Sequence, residues 1–244
     1  MSLDVTVKAE AGVLRSYLEL CRASNLPTVW TNVLAAVLLS GAWPLRQTLA
    51  AALSVTLTYL GGMALNDLLD VEEDRVRKPS RPIPSGRVSV AGATLFSALL
   101  FGAGLLLLVV FCPWRAAAAG VALIIAIYLY DSLHRQSALT VLLMASCRAL
   151  VFAVAGLAVA GTIGRWVALA GAVQFLYIVG LTVVARWEKS APRSFRIPPI
   201  PWLLAGISLV DGVMLALLVN PAWLAAGVAG AALTRLLQTQ VRGD

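Results

Sequence analysis

The stretch Asn66-Asp67-Leu68-Leu69-Asp70-Val71-Glu72-Glu73-Asp74 holds five of the chain's twelve acidic residues within nine positions. On a continuous helix Asn66, Asp70 and Asp74 fall at i, i+4 and i+8, and Asp67 stands three residues before Asp70. All four then share one face, where stacked like charges repel. Carboxylates near a helix C-terminus also oppose the macrodipole. The arrangement is comfortable if a cation sits among them. A hard divalent ion such as Mg²⁺ takes carboxylate oxygens and keeps positions open for phosphate oxygens. Asn66, Asp67, Asp70 and Asp74 are therefore candidate metal ligands. The bland alternative is a solvated acidic loop, which suits Glu72 and Glu73, off the shared face.

The next residues read Arg75-Val76-Arg77-Lys78-Pro79-Ser80-Arg81-Pro82-Ile83-Pro84-Ser85-Gly86-Arg87. The prolines end any helix and fix a turn. Metal plus arginine is the usual answer to a diphosphate, because the guanidinium fork matches phosphate oxygens. Arg81, held between prolines, is read as a ligand to such a group. For Arg75, Arg77 and Lys78 ordinary anchoring at a membrane face is an equal alternative.

The elements that must position these residues are membrane helices. Of 244 residues 60% are apolar and 13% charged, and the mean hydropathy is +0.86. Soluble domains carry about a quarter charged residues. Eight apolar segments long enough to span, or nearly so, run near 26–42, 46–66, 89–112, 114–130, 138–160, 163–185, 200–219 and 221–238. The last two are joined by Asn220-Pro221, a tight helical hairpin. With the N-terminus inside, Lys8, Arg15, Arg22, Arg75, Arg77, Lys78, Arg81, Arg87, Arg135, Arg186, Lys189, Arg193, Arg196, Arg235 and Arg242 are cytoplasmic, against only Arg46, Arg115 and Arg165 opposite. That asymmetry predicts an all-α bundle of about eight (seven to nine) transmembrane helices. Both termini are cytoplasmic, and a central cavity opens to that side. Residues 1–244 form one domain, with no linker or low-complexity tract. The mixed charges before the first apolar run exclude a cleavable signal peptide. The net charge of +7 is spread between spans and is no nucleic-acid signal. Cys21, Cys112 and Cys147 are too scattered for a disulfide framework or a zinc site.

The pattern N-D-x-x-D-x-x-x-D followed by R-P-I-P-S-G, over Asn66 to Ser89, resembles the first aspartate motif of the UbiA superfamily of intramembrane prenyltransferases. Cys21 to Asn32 is similar to that family's first-helix lead-in, with its Arg, Pro and Asn. Tyr128-Leu129-Tyr130-Asp131 and His134-Arg135 look like the Tyr and basic residues after its fourth helix. The resemblance implies an isoprenyl diphosphate bound through Mg²⁺, with a lipophilic acceptor attacking the allylic carbon. It implies Asp70, Asp74 and Arg81 as the catalytic core, with Asn66 and Asp67 beside them. Arg22, Asn25, Asn66, Asp67, Tyr130, Arg135, Arg148, Arg186, Glu188 and Lys189 would bind substrate. The family's second aspartate motif falls at Tyr177 to Ser190, where only Glu188 is acidic and Arg186 and Lys189 flank it. This loss, with Ser146-Cys147-Arg148, is similar to the EboC-type branch. The family usually has nine spans.

Arg148 and Asp211 lie inside spans, where charge is costly and turns toward a cavity or a partner. Arg148 is expected to face phosphate or to pair with Asp131 or Asp211. His134 reads as interfacial. Trp30, Trp43, Trp114, Trp166, Trp202 and Trp223 read as anchors at span ends, and Trp187 as a substrate contact. The expected activity is Mg²⁺-dependent transfer of a prenyl group to an aromatic or other lipophilic acceptor within the bilayer. A non-catalytic isoprenoid-binding or transport component is the alternative. A CDP-alcohol phosphotransferase is disfavoured, since its D-G-x-x-A-R pattern is absent.

Overall fold

A computed structural model describes residues 12–133, 140–190 and 199–240. All its regular elements are helical: α1 over residues 12–20, then α2 (Leu26–Ser40), α3 (Leu45–Leu69), α4 (Val71–Arg77), α5 (Val90–Phe111), α6 (Trp114–Leu133), α7 (Thr140–Ala160), α8 (Arg165–Ser190), α9 (Ile200–Leu218) and α10 (Leu224–Gln240). Six of these, α3 and α5 to α9, are long and apolar enough to cross a membrane. The other two expected spans also form helices, but α2 has 15 residues and α10 has 17. At 1.5 Å per residue both fall short of a bilayer's hydrocarbon core, about 30 Å thick.

The shortness of α2 has a packing explanation. Eleven of its residues are buried, and it touches α3, α7, α8, α9 and α10. It is the axle of the bundle, so it needs no lipid-matched length of its own. Val29, Val33, Val37 and Leu38 join Val55, Leu108, Leu123, Phe152, Val154 and Leu215 in the main core. Lipid-facing positions stay apolar, as at Leu95, Leu99, Leu106 and Val110 of α5, each more than half exposed.

The hairpin at Asn220 forms as expected. Its side-chain Oδ1 accepts from the Ala222 amide at 2.9 Å. The two helices then meet backbone to backbone, for a Cβ on Gly212 would stand 2.7 Å from the Gly227 Cα. Gly86 closes the proline-rich turn at φ 76°, and the Ser89 hydroxyl then caps α5 by accepting from the Gly92 amide at 3.0 Å.

Candidate active site

The acidic stretch does not run as one uninterrupted helix. Asp70 closes α3 and opens α4 with φ −91° and ψ 0°. Backbone hydrogen bonds still bridge the break, from the Asp70 amide to the Asn66 carbonyl and from the Asp74 amide to the Asp70 carbonyl. The bend separates the four side chains. Asn66, Asp67 and Asp74 are buried, while Asp70 is half-buried.

Two guanidinium groups fill the space among them. Arg81 Nη1 donates to Asp67 Oδ1 at 3.0 Å and to Asp74 Oδ2 at 2.6 Å. Arg22 Nη2 donates to Asn66 Oδ1 at 3.0 Å and to Asp67 Oδ1 at 3.1 Å. The expected charge repulsion is thus resolved by arginines from outside the acidic stretch. Burial works against the Arg22 charge, but Asp67, Tyr59 and Tyr130 together hold the guanidinium pKa above its ordinary value. Arg22 adopts φ 46°, the only positive value outside glycine among the described residues. A non-glycine residue there is strained, and such strain collects at functional sites. Next to it, burial first and the Asp67 charge second push the Cys21 thiol up to about 12.

Arg22, Asp67 and Arg81 floor a polar cavity of about 580 Å³, whose walls include Arg15, Glu19, Arg77, Lys78 and Arg87. Arg87 fastens its roof. It donates to Glu19 of α1 at 2.7 Å and to the Ser80 carbonyl at 2.7 Å. The loop that carries Arg81 is thereby tied to the helix that leads into Arg22. The lining is strongly cationic, which suits a polyanion.

Below the mouth the chemistry changes. Asn66 Nδ2 donates to Asp131 Oδ1 on α6 at 3.1 Å. Asp131 and Tyr130 line a second, largely apolar pocket of about 80 Å³ with Val29, Val55, Leu123 and Val151. Arg148 lines it too. Its Nη1 donates to Asn32 Oδ1 at 2.8 Å and its Nη2 to Thr28 Oγ1 at 3.1 Å. Asn32 Nδ2 donates to Asp211 Oδ2 at 2.8 Å, and Gln174 Nε2 to Asp211 Oδ1 at 2.8 Å. The expected pairing of Arg148 with Asp211 therefore runs through an amide rather than directly.

The remaining expected residues scatter. Asn25 is buried and its Oδ1 accepts from Gln238 Nε2 of α10 at 3.0 Å. Arg186 Nη2 donates to Thr140 Oγ1 at 2.9 Å, tying α8 to α7. Glu188 is half-buried in the final turns of α8, and neither it nor Arg186 lines the polar cavity. Trp187 is 62% exposed, more like an interfacial anchor than a substrate contact. His134, Arg135 and the Lys189 side chain lie outside the described residues. Sequence reasoning passed over Asn32, Thr28 and Gln174 as a brace for Arg148. The signal was present, for Gln174 is an amide in an otherwise apolar span.

Hard oxygen donors at Asn66, Asp67, Asp70 and Asp74 fit Mg²⁺ in chemical type. Among the described residues no group of three His, Cys, Asp or Glu side chains already converges as a metal cage. Arg22 and Arg81 hold several of the same oxygens.

Residues 25–240 match the family model described as the UbiA prenyltransferase family. The chain belongs to that family. Two curated UbiA-type relatives, both digeranylgeranylglyceryl phosphate synthases, illustrate the distance. The protein of Ignicoccus hospitalis is 39% identical over 51% of this chain and 41% of its own length. That of Sulfolobus acidocaldarius is 31% identical over 72% of this chain and 62% of its own length. Each alignment thus spans less than two thirds of the relative. A solved structure concerned with digeranylgeranylglyceryl phosphate synthase superposes with a TM-score of 0.64 at 21% identity, over 93% of this chain and 94% of that one. A UbiA homologue from Archaeoglobus fulgidus, bound to DMAPP and Mg²⁺, gives 0.60 at 17% identity, over 94% and 89%. These superpositions establish the UbiA fold for this chain. With its six long apolar helices, this UbiA protein is integral to a membrane.

Proposed function

We propose that the protein transfers a prenyl group from an isoprenyl diphosphate to a lipophilic acceptor inside the bilayer. The observation that carries the reading is the convergence of Arg22 and Arg81 on Asn66, Asp67 and Asp74, at a polar cavity above an apolar pocket. The diphosphate takes the cationic mouth and the prenyl chain enters the bundle. The C–O bond to the allylic carbon breaks, and the diphosphate leaves with the electron pair. The acceptor attacks that carbon and gives up a proton.

Arg22 and Arg81 hold the leaving group through charge-assisted hydrogen bonds that strengthen as its negative charge grows. Asn66, Asp67, Asp70 and Asp74 would hold Mg²⁺, which supplies charge neutralisation of the leaving diphosphate when bound. Tyr130 and Arg148 face the chain or the acceptor, and Asn25 supports the Arg22 turn from behind. Arg186 and Glu188 on α8 are assigned to substrate binding, as are Arg135 and Lys189 from the sequence pattern alone. The mouth opens to the cytoplasm, the shorter α2 and α10 join the six long helices to make about eight crossings, and both termini are cytoplasmic. The asymmetry of basic loops supports that orientation.

The test is Mg²⁺-dependent release of diphosphate from geranyl or geranylgeranyl diphosphate in membranes that contain the protein. A double variant, Asp70→Ala with Asp74→Ala, is expected to abolish it, and equal release by that variant would remove the assigned role. A second reading is binding without turnover. It is favoured by the stretch Tyr177 to Ser190, in which only Glu188 is acidic. Binding of geranyl diphosphate with no release of diphosphate distinguishes it.

A further inference from the structure

The left-handed backbone at Arg22 has to be held from outside. A non-glycine residue in that region persists only where its surroundings over-determine it. The Arg22 carbonyl accepts from the Asn25 amide at 3.1 Å and from the Tyr59 hydroxyl at 3.3 Å. The buried Asn25 side chain takes a further bond from α10, 213 positions along the chain, where Gln238 Nε2 donates to its Oδ1 at 3.0 Å. Gln238 is itself held. Arg235 Nη1 donates to its Oε1 at 2.7 Å, which leaves the amide nitrogen to face Asn25. The Arg235 guanidinium lies over the Trp202 ring of α9, 4.4 Å from its centroid. A relay thus runs from α9 and α10 into the turn that carries Arg22, and Arg22 ends on Asn66 and Asp67.

The composition of α10 agrees. Residues 224–233 carry no polar side chain, whereas five of the last seven do, namely Thr234, Arg235, Gln238, Thr239 and Gln240. Gln240 lines the polar cavity, and Gln238 does not. A tie that served only to join two helices could sit anywhere along their length. This one sits three residues from the single non-glycine positive φ among the described residues.

We propose that Gln238 is a positioning residue: oriented by Arg235, it locks the Arg22 turn and so aims the Arg22 guanidinium at the leaving diphosphate. The lock rests on the geometry, and the description of the anion as a leaving group rests on the prenyl-transfer reading. Without the lock the turn relaxes toward the right-handed region that ordinary residues prefer. The guanidinium then swings from Asp67, and the neighbouring Cys21 loses its cover.

The test uses the purified full chain, with inorganic diphosphate and Mg²⁺ as the probe. Gln238→Met keeps the length of the side chain and removes both hydrogen bonds. It is expected to weaken diphosphate binding about fivefold, the worth of one hydrogen bond. Native maleimide labelling of Cys21 should quicken by a similar factor, because it tracks the population of the opened turn. Gln238→Glu still accepts from Arg235 and accepts from the Asn25 amide once that amide turns over, so it should restore most of both. In an Arg22→Gln background Gln238→Met should have no further effect on binding, whereas a merely structural tie would weaken it there too. Should Gln238→Met fail to fold, Arg235→Met removes the orienting bond and should move both readouts the same way. Unchanged diphosphate binding or unchanged Cys21 labelling overturns the proposal, as does an equal loss in the Arg22→Gln background or a wild type that binds no diphosphate. Release of diphosphate from geranyl diphosphate is measured on the same samples. If the wild type binds diphosphate but releases none, the transfer reading fails and the lock stands on binding and labelling.

Discussion

Asn66 and Asp131 meet across α3 and α6, the Asn66 amide donating to the buried carboxylate at 3.1 Å. The same amide accepts from Arg22 at 3.0 Å. Asn66 is thereby the hinge between the cationic mouth and the apolar pocket. Its amide offers an acceptor to one side and a donor to the other. Asn66→Asp replaces the donor with a second carboxylate beside Asp131. We expect it to lower stability by roughly 2 kcal/mol and to reduce diphosphate release at least as much as Asn66→Ala. Thermal unfolding and a release assay check both.

Arg81 bridges two carboxylates through one nitrogen, and its side chain is 14% exposed. Arg81→Ala leaves Asp67 and Asp74 facing each other. The expected loss is about 3 kcal/mol, as for other buried pairs that lose one partner. Diphosphate release should fall by about two orders of magnitude, in line with the removal of one transition-state donor. Arg81→Lys should recover stability better than activity, because an ammonium cannot present a fork.

Cys21 is 3% exposed, and burial with the Asp67 charge raises its thiol to about 12. At pH 8 almost none of it is thiolate, and the thiolate is the reactive form. Native protein treated with a maleimide at pH 8 should leave Cys21 unmodified, and denatured protein should not. Mass spectrometry of the tryptic peptide decides it. Rapid native labelling would contradict the packing of α1 against the mouth.

Gly212 and Gly227 let α9 and α10 touch through their backbones. A methyl at either position meets backbone atoms rather than a movable side chain. Gly212→Ala should therefore cost about 1–3 kcal/mol, as overpacking does. The fall in unfolding temperature in detergent is the measurement. Gly180→Ala, with nothing within 4 Å of the added carbon, serves as the control.

The proposed topology, about eight crossings with both ends inside, places Gly164 and Ser85 on opposite faces. In a cysteine-free background, Gly164→Cys should react with a membrane-impermeant maleimide added outside intact cells. Ser85→Cys should react only after permeabilisation. Labelling of both from one side would require a different number of crossings.

Much of the fold was legible because its signals are local. Apolar runs, Pro27 near a helix start, Asn220-Pro221 at a hairpin and Ser89 at a cap each act within a few residues. The site was legible in part. The Asn66 to Asp74 spacing pointed to the candidate cluster, and the resemblance to prenyltransferases named the family. The spacing alone placed Asp70 at the centre, whereas the bend at Asp70 turns Asp67 and Asp74 inward together. One of the two arginines that neutralise Asp67 comes from 45 positions away, and no local pattern signals that. The Asn32–Asp211 contact joins residues 179 apart, so Arg148 could be recognised as unusual but its brace could not be drawn.

The axial position of α2 bears on how the chain enters a membrane. It is the first of the bundle's apolar helices to leave the ribosome, yet Thr28 and Asn32 depend on Arg148 and Asp211, made 116 to 179 residues later. Until those arrive, Thr28 has only the Asn25 carbonyl, and the Asn32 amide sits on a helix of only 15 residues without the two partners that hold it in the folded protein. Such a segment is a poor candidate for independent release into lipid. Biogenesis must therefore hold α2 at the insertion machinery, or in another sheltered setting, until the second half of the protein has been synthesised and can close around it.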